Sequence, residues 1–139
     1  MPTGTTRLHA HEVRLGLVMY GGVSLAVYIN GVANELFRAV RGRGVYKLFK
    51  ELTDSDITVD VMSGTSAGGV NGILLGFALA NEREFAVSTR VWREGADFGS
   101  LLRHTNGDDF SSLLDGNDVF ERRLEEAFHE MWATPVVSS

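Results

Sequence analysis

Two segments of the chain repeat one pattern of apolar and polar positions. Each begins with a short strand-like run, at residues 15–19 and 57–61, and then reaches a glycine-rich turn. Beyond each turn, apolar residues recur every three or four positions, which is typical of an amphipathic helix. The first run is wholly apolar and predicts a strand that is buried on both faces. Two such units in series predict parallel strands with a right-handed crossover, and therefore an α/β fold.

The rest of the chain predicts helices and one irregular segment. Residues 45–52 and 82–92 carry apolar positions at helical spacing, whereas residues 95–109 are polar and irregular. A last helix is expected after Asp115 or Asn117, because both residue types are common helix N-caps.

The polar start of the chain and its few strands define the predicted domain. Residues 1–12 lack an apolar period and are predicted to form a polar N-terminal tail, followed by one domain over residues 13–139. Two strands are fewer than a stable α/β domain normally has. We therefore expect the sheet to be incomplete at the C-terminus of this chain.

Composition and charge exclude several classes of function. The chain has 139 residues, of which 44% are hydrophobic, enough for one ordinary core. Its formal net charge is −5, with 13 basic residues spread among 18 acidic ones, so we expect no nucleic-acid partner. There is no cysteine, and the histidines lack the spacing of a metal site, so we expect no metal.

Two uncharged stretches, residues 15–34 and 61–81, approach the length of a membrane-spanning helix. Clusters of glycine and other small residues interrupt both stretches, which favours buried strand and helix pairs over membrane spans. The first stretch also lacks a convincing signal-peptide cleavage site. We expect a cytoplasmic or membrane-peripheral protein, and the sequence leaves the oligomeric state open.

A Gly-x-Ser-x-Gly motif lies between the second strand and its helix, and consists of Gly64, Thr65, Ser66, Ala67 and Gly68. A serine in so tight a turn has a strained backbone that pushes its hydroxyl outward, and the flanking glycines leave room for it. The helix that follows directs free N–H groups and its positive dipole end toward an oxyanion. Ser66 is therefore the candidate nucleophile, and close strand–helix packing by small residues is the alternative.

Gly21 and Gly22 end the first predicted strand in the same way. Acyl transfer by a serine needs N–H donors that are preorganised for the oxyanion of the tetrahedral intermediate. Glycines let the backbone approach the substrate and turn its N–H groups inward. We interpret Gly21 and Gly22 as a candidate oxyanion hole, and a simple tight turn into a helix is the alternative.

A glycine turn after the first strand, a helix, and a β-branched strand that enters Gly-Thr-Ser-Ala-Gly-Gly together resemble the patatin-like phospholipase family, particularly its bacterial members. The resemblance covers residues 13–79. It implies a three-layer α/β/α fold with a mainly parallel sheet, and hydrolysis of fatty acyl esters in phospholipids or other lipids. It also implies a Ser-Asp dyad without histidine, with Ser66 as nucleophile, Gly21 and Gly22 in the oxyanion loop, and no metal or organic cofactor. The partners that we expect are a lipid or acyl ester substrate and, through peripheral contact, a membrane surface.

The sequence departs from the family pattern at two places. The family's oxyanion loop carries a basic residue where this chain has Ser24. The dyad aspartate of the family follows a later strand, in Asp-Gly-Gly or Asp-Gly-Ala. Asp115, before Gly116, is the nearest candidate base, but it leads into a helix and is interpreted as a helix cap. We expect the dyad aspartate to be missing from this chain, which alone would then be inactive or nearly so.

Other functions compete with this interpretation. An α/β-hydrolase triad would use His104 or His129 as base and Asp97 or Asp115 as acid, but its nucleophile normally follows several strands. Both histidines are interpreted as solvated surface residues. A non-catalytic remnant, acting as a lipid-binding or interaction module of the same fold, would account for the missing aspartate. Nucleotide binding is weaker, because neither glycine cluster has the spacing of a dinucleotide or phosphate loop.

Overall fold

The computed structural model describes residues 10–95 and 121–137. In chain order its elements are strand β1 (His11–Met19), a 3-10 turn (Val23–Leu25), α1 (Ala26–Val40), α2 (Val45–Thr53), strand β2 (Ser55–Gly64), α3 (Ala67–Ala80), a second 3-10 turn (Phe85–Ser88), α4 (Thr89–Gly95) and α5 (Arg122–Ala133). The order strand, helices, strand, helix is the one that the hydrophobic pattern predicts.

The two strands pair in parallel over their full length. His11 lies opposite Ser55 at one end of the pair, and Met19 lies opposite Gly64 at the other. The register shifts between Leu15 and Gly16, where β2 accommodates one additional residue, Asp60. The parallel pairing confirms the predicted α/β class.

Strand β1 begins earlier than its apolar run, inside the segment predicted as a polar tail. His11 N–H donates to Asp54 O at 3.0 Å, and Thr58 Oγ1 donates to the Glu12 carboxylate at 2.9 Å. Backbone hydrogen bonds and polar cross-strand pairs extend a parallel ladder without apolar side chains, so the apolar pattern underestimates the length of the strand.

The prediction that the first strand is buried on both faces is wrong for the described part of the chain. Val18 and Val61 are 66% and 63% exposed, whereas Leu17 and Met62 pack against the main core cluster. Helices α1 and α3 supply most of that cluster, so one face of the strand pair is covered. Among the described residues, no element buries the side chains of the opposite face.

The main core lies between α1, α3, the second 3-10 turn and α5. It contains the buried residues Ala33, Phe37, Leu74, Leu75, Ala78, Phe85 and Met131. The buried side of α1 runs through Ala26, Ala33 and Phe37, so two small residues allow α3 to approach closely. Val32, which also lies at helical spacing, is instead 53% exposed.

The segments after α3 differ in part from the predicted helices. Of residues 82–92, the first three are not helical, because Arg83 forms an antiparallel bridge with Pro135 and Glu84 N–H donates to Thr134 O at 3.0 Å. The last helix is described from Arg122. The predicted caps Asp115 and Asn117 lie outside the described residues.

An ion pair joins the turn before α2 to the segment after α3. Arg43 binds the Glu84 carboxylate through both of its terminal nitrogens, with Arg43 Nη1 at 2.7 Å from Glu84 Oε2. The Arg43 side chain is 29% exposed and the Glu84 side chain 18%. The hydrogen bonds from Arg43 lower the pKa of Glu84 below 4.5, although burial opposes that shift.

We predict that Glu84→Gln lowers the free energy of unfolding at pH 7 by about 1 to 2 kcal/mol, because the ion pair is partly buried. A depressed pKa stabilises the folded state above the carboxyl pKa of the unfolded chain, and this contribution disappears as the pH falls through the folded pKa. Urea unfolding should therefore show a gap between wild type and variant at pH 7 that narrows at acidic pH. The exposed Glu51, changed to Gln, is the control and should alter stability little at either pH. A gap of constant size at both pH values would contradict this account.

Candidate active site

The parallel register brings the two glycine turns side by side. Met19 and Gly64 end their strands opposite each other, so the chain leaves both strands at the same edge. Thr65 N–H donates to Met19 O at 3.1 Å, and Gly21 N–H donates to Thr65 Oγ1 at 3.0 Å. The Gly21–Gly22 turn is thus held against the residue that precedes Ser66.

Ser66 has the backbone conformation expected of a strained strand-to-helix turn. It is the N-cap of α3, with φ 50° and ψ −127°, and it is exposed. The N-cap of α2 has nearly the same conformation, φ 58° and ψ −130°, but the residue there is Gly44. A residue with a side chain pays roughly 1–3 kcal/mol for such a conformation, whereas glycine adopts it freely. Retaining serine at this position is therefore costly to the fold.

The glycines around Ser66 are required by close backbone contacts. A Cβ atom on Gly68 would overlap the Met19 carbonyl, and one on Gly64 would lie 2.7 Å from the Gly68 carbonyl carbon. A Cβ atom on Gly21 would lie 2.7 Å from Ser66 Cβ. Real Cβ atoms do not approach other atoms so closely, so these three positions exclude larger residues. The steric argument made for the motif from the sequence agrees with these contacts.

Neither the Gly22 N–H nor the Ala67 N–H has a hydrogen-bond acceptor among the described residues. Ala67 directly follows Ser66, and Gly22 directly follows Gly21, which lies against Ser66. Within the first turn of α3, Gly68 N–H donates to Thr65 O at 2.9 Å and Val70 N–H donates to Ser66 O at 3.0 Å. The φ of Gly22 is 146°, which favours glycine. No acidic side chain lies in the first turn of α3, so the positive end of the helix dipole is not neutralised there.

The remaining residues singled out from the sequence lie apart from Ser66 or outside the described chain. Ser24 is exposed in the first 3-10 turn, and His129 is exposed on α5, as expected of a surface residue. Asp115 and His104 lie outside the described residues. In the ranges described, no aspartate, glutamate or histidine is hydrogen-bonded to the Ser66 hydroxyl.

The sequence analysis missed several residues that support this site. Thr65 contributes its hydroxyl as the acceptor for Gly21 N–H. Asn30 and Asn71 are 1% and 0% exposed and form a buried polar network behind the turns. A signal for them exists in the sequence, since both asparagines lie among the apolar positions of predicted helices, where polar residues need partners.

Parallel strands and the helices packed against them define an α/β protein, with an exposed serine at a strained strand-to-helix turn. The family model for patatin-like phospholipase matches residues 17–134. The chain belongs to this family, whose members are lipid acyl hydrolases.

One curated relative also matches, an "Uncharacterized membrane protein Rv3479" of Mycobacterium tuberculosis (strain ATCC 25618 / H37Rv). It is 29% identical over an alignment that covers 84% of this chain and 13% of the relative. The chain thus spans only a small part of that protein's length. No solved structure gives a significant match. In the described parts of the chain, no helix is both long and apolar enough to cross a bilayer.

We predict that Gly68→Ala destabilises the protein by about 3 kcal/mol or more, because the added methyl group overlaps the Met19 carbonyl and forces β1 and α3 apart. Gly31→Ala is the matched control. Gly31 lies in α1, and a Cβ atom there meets nothing within 4 Å. The same change should stabilise the helix by about 0.5–1 kcal/mol. Urea unfolding of both variants tests the contrast, and similar stabilities would show that the close approach at Gly68 is not required.

Proposed function

We propose that the chain carries the nucleophile and the oxyanion loop of a serine acyl hydrolase that acts on lipid acyl esters. The observation that carries this proposal is the conformation of Ser66, an exposed serine with positive φ at the start of α3 and beside the Gly21–Gly22 turn. Strained residues of this kind are concentrated at functional sites. Membership of a family of lipid acyl hydrolases supplies the reaction class.

In the proposed reaction, Ser66 Oγ bonds to the acyl carbonyl carbon while its proton passes to a base. The carbonyl oxygen becomes an oxyanion, and the tetrahedral intermediate then breaks its ester bond and releases the alcohol with a proton. Water attacks the acyl-serine, which releases the fatty acid and restores Ser66. The resemblance to the family implies an aspartate as the base.

The N–H groups of Gly22 and Ala67 are the proposed oxyanion donors. Ala67 directly follows Ser66, Gly22 follows the Gly21 that lies against Ser66, and neither N–H has an acceptor in the described part of the chain. Gly21 belongs to the same loop, but its own N–H donates to Thr65 Oγ1. Gly21 therefore allows the loop to approach Ser66 closely, and Gly22 supplies the N–H that donates to the oxyanion. Removal of one such donor typically lowers the rate about a hundred- to a thousandfold.

A lipid substrate is supported by an apolar groove of about 340 Å³ that begins at the same loop. It lies between the end of β1 and the outer side of α1, and its lining includes Met19, Tyr20, Leu25, Tyr28, Ile29 and Val32. Tyr20 is 77% exposed and directly precedes Gly21. We propose that the fatty acyl chain lies in this groove while its ester reaches Ser66.

Fluorophosphonate labelling of the protein, at the low rate expected of a chain without the dyad aspartate, should fall on Ser66, which mass spectrometry of the labelled peptide can locate. Ser66→Ala should reduce labelling at least a hundredfold, because no other serine has this conformation among the described residues. Ser63→Ala is the matched control, since Ser63 is also exposed and lies three residues earlier. It should leave labelling unchanged.

The other outcomes distinguish the competing functions. Labelling that persists in Ser66→Ala would place the nucleophile elsewhere. Labelling that disappears in Asp115→Asn would identify Asp115 as the base. A folded wild-type protein that takes no label even on prolonged incubation would show that this chain alone lacks an activated nucleophile, as expected if the dyad aspartate is missing, and would leave the non-catalytic lipid-binding or interaction module as the competing function.

A further inference from the structure

A buried network of polar side chains lies directly behind the two glycine turns. Asn71 is 0% exposed, Asn30 is 1% exposed and Ser88 is 0% exposed. They come from α3, α1 and the second 3-10 turn, and Thr89 and Trp92 of α4 complete the group. Buried amides are uncommon unless their hydrogen bonds are satisfied, so these contacts define the geometry of the network.

Asn71 is the centre of the network, and its side chain makes four hydrogen bonds. Its Oδ1 accepts from Asn30 Nδ2 at 3.0 Å and from Trp92 Nε1 at 2.9 Å. Its Nδ2 donates to Ala67 O at 3.0 Å and to Ala26 O at 3.4 Å. An amide group offers two donors and an oxygen that accepts two bonds, so its capacity is fully used.

The two carbonyls that Asn71 binds belong to the functional segments. Ala67 directly follows Ser66, and its carbonyl lies in the first turn of α3. Ala26 is the first residue of α1, which begins just after the Gly21–Gly22 turn and its 3-10 extension. Asn71 is therefore the side chain that ties the start of the nucleophile helix to the start of the oxyanion-loop helix.

Asn30 supports Asn71 from the opposite side. Its Nδ2 donates to Asn71 Oδ1 and also to Ser88 Oγ at 3.1 Å, while its Oδ1 accepts from Thr89 Oγ1 at 2.9 Å. These bonds fix which way the Asn71 amide faces. These three hydrogen bonds of Asn30 all join it to other side chains, and none of them joins it to the backbone of either glycine turn.

We propose that Asn71 is a positioning residue, which holds the Ser66 turn and the Gly21–Gly22 turn at the separation that acyl transfer needs. The proposal rests on the proposed function. Apolar packing could hold the same helices together, but it is not directional and tolerates small sliding movements. Four hydrogen bonds to one rigid amide fix both distance and orientation, and small displacements of catalytic groups strongly reduce rates.

Three variants separate positioning from stability. Asn71→Leu is nearly isosteric and removes all four bonds. Asn30→Leu is the matched control, because it makes the same chemical change at equal burial in the same network and leaves both backbone carbonyls bound. Leu74→Ala, also in α3 and 0% exposed, lowers stability through the apolar core alone.

The first readout is the rate of fluorophosphonate labelling at Ser66. We expect Asn71→Leu to lower the labelling rate at least tenfold. Asn30→Leu should lower this rate less, and Leu74→Ala should leave it within twofold at a temperature where every variant is folded. Equal losses in Asn71→Leu and Leu74→Ala would overturn the proposal.

The second readout needs no activity. Amide hydrogen exchange of Gly68 and Val70 reports on the first turn of α3, because these groups donate to Thr65 O and Ser66 O. Asn71→Leu should accelerate their exchange at least tenfold relative to Leu74→Ala. If the wild type takes no label even on prolonged incubation and this difference is still found, this chain alone lacks an activated nucleophile while the positioning role of Asn71 stands. If the two variants exchange alike, the positioning role fails whatever the labelling shows.

Asn71→Ser covers the case in which Asn71→Leu does not fold. A serine hydroxyl in a helix can bind the carbonyl four residues earlier, here Ala67 O, but it is too short to reach Ala26 O as well. This variant should lose less labelling than Asn71→Leu. Its amide exchange should be faster than that of the wild type only in the turn of α3 that faces α1. Wild-type labelling and exchange in this variant would overturn the proposal.

Discussion

The close approach between the end of β1 and the first turn of α3 is the constraint on which the site depends. Met19 O accepts from Thr65 N–H, and Gly68 packs so tightly against the same carbonyl that it has no room for a methyl group. If this distance were one methyl group larger, Gly21 would leave its contact with Ser66. Backbone packing therefore brings the nucleophile and the oxyanion loop together, and the Thr65 hydroxyl holds the Gly21 N–H beside it.

Three kinds of interaction maintain that approach, and each has a different role. The parallel ladder aligns Met19 with Gly64, so both turns leave the strands at one edge. Apolar clusters around Phe37 and Leu74 supply most of the stabilisation, because burying such side chains contributes about 1.5–3 kcal/mol each. The asparagine network adds direction, since hydrogen bonds define an orientation that apolar contacts leave open.

The strain at Ser66 is consistent with this division of roles. A positive φ at a residue with a side chain persists only where the surroundings determine the backbone strongly. Here the preceding residue is bonded to β1, and the following helix is held by Asn71 and by the core. Ser66, with its positive φ, is thus flanked on both sides by fixed backbone, and the residue itself is exposed.

The sequence by itself determined the order of the elements, the parallel α/β class and the strained serine turn, because hydrophobic period and glycine placement act locally along the chain. The sequence-based prediction that β1 is buried on both faces was wrong, because an apolar run shows only which side chains a strand could bury. Whether Val18 and Val61 are in fact buried depends on which elements pack against them. Only the tertiary structure decided that Gly21 N–H is taken by Thr65 and that Asn30 and Asn71 meet. These partners lie 44 and 41 residues apart, and their contact depends on strand register and helix packing, which no local pattern encodes.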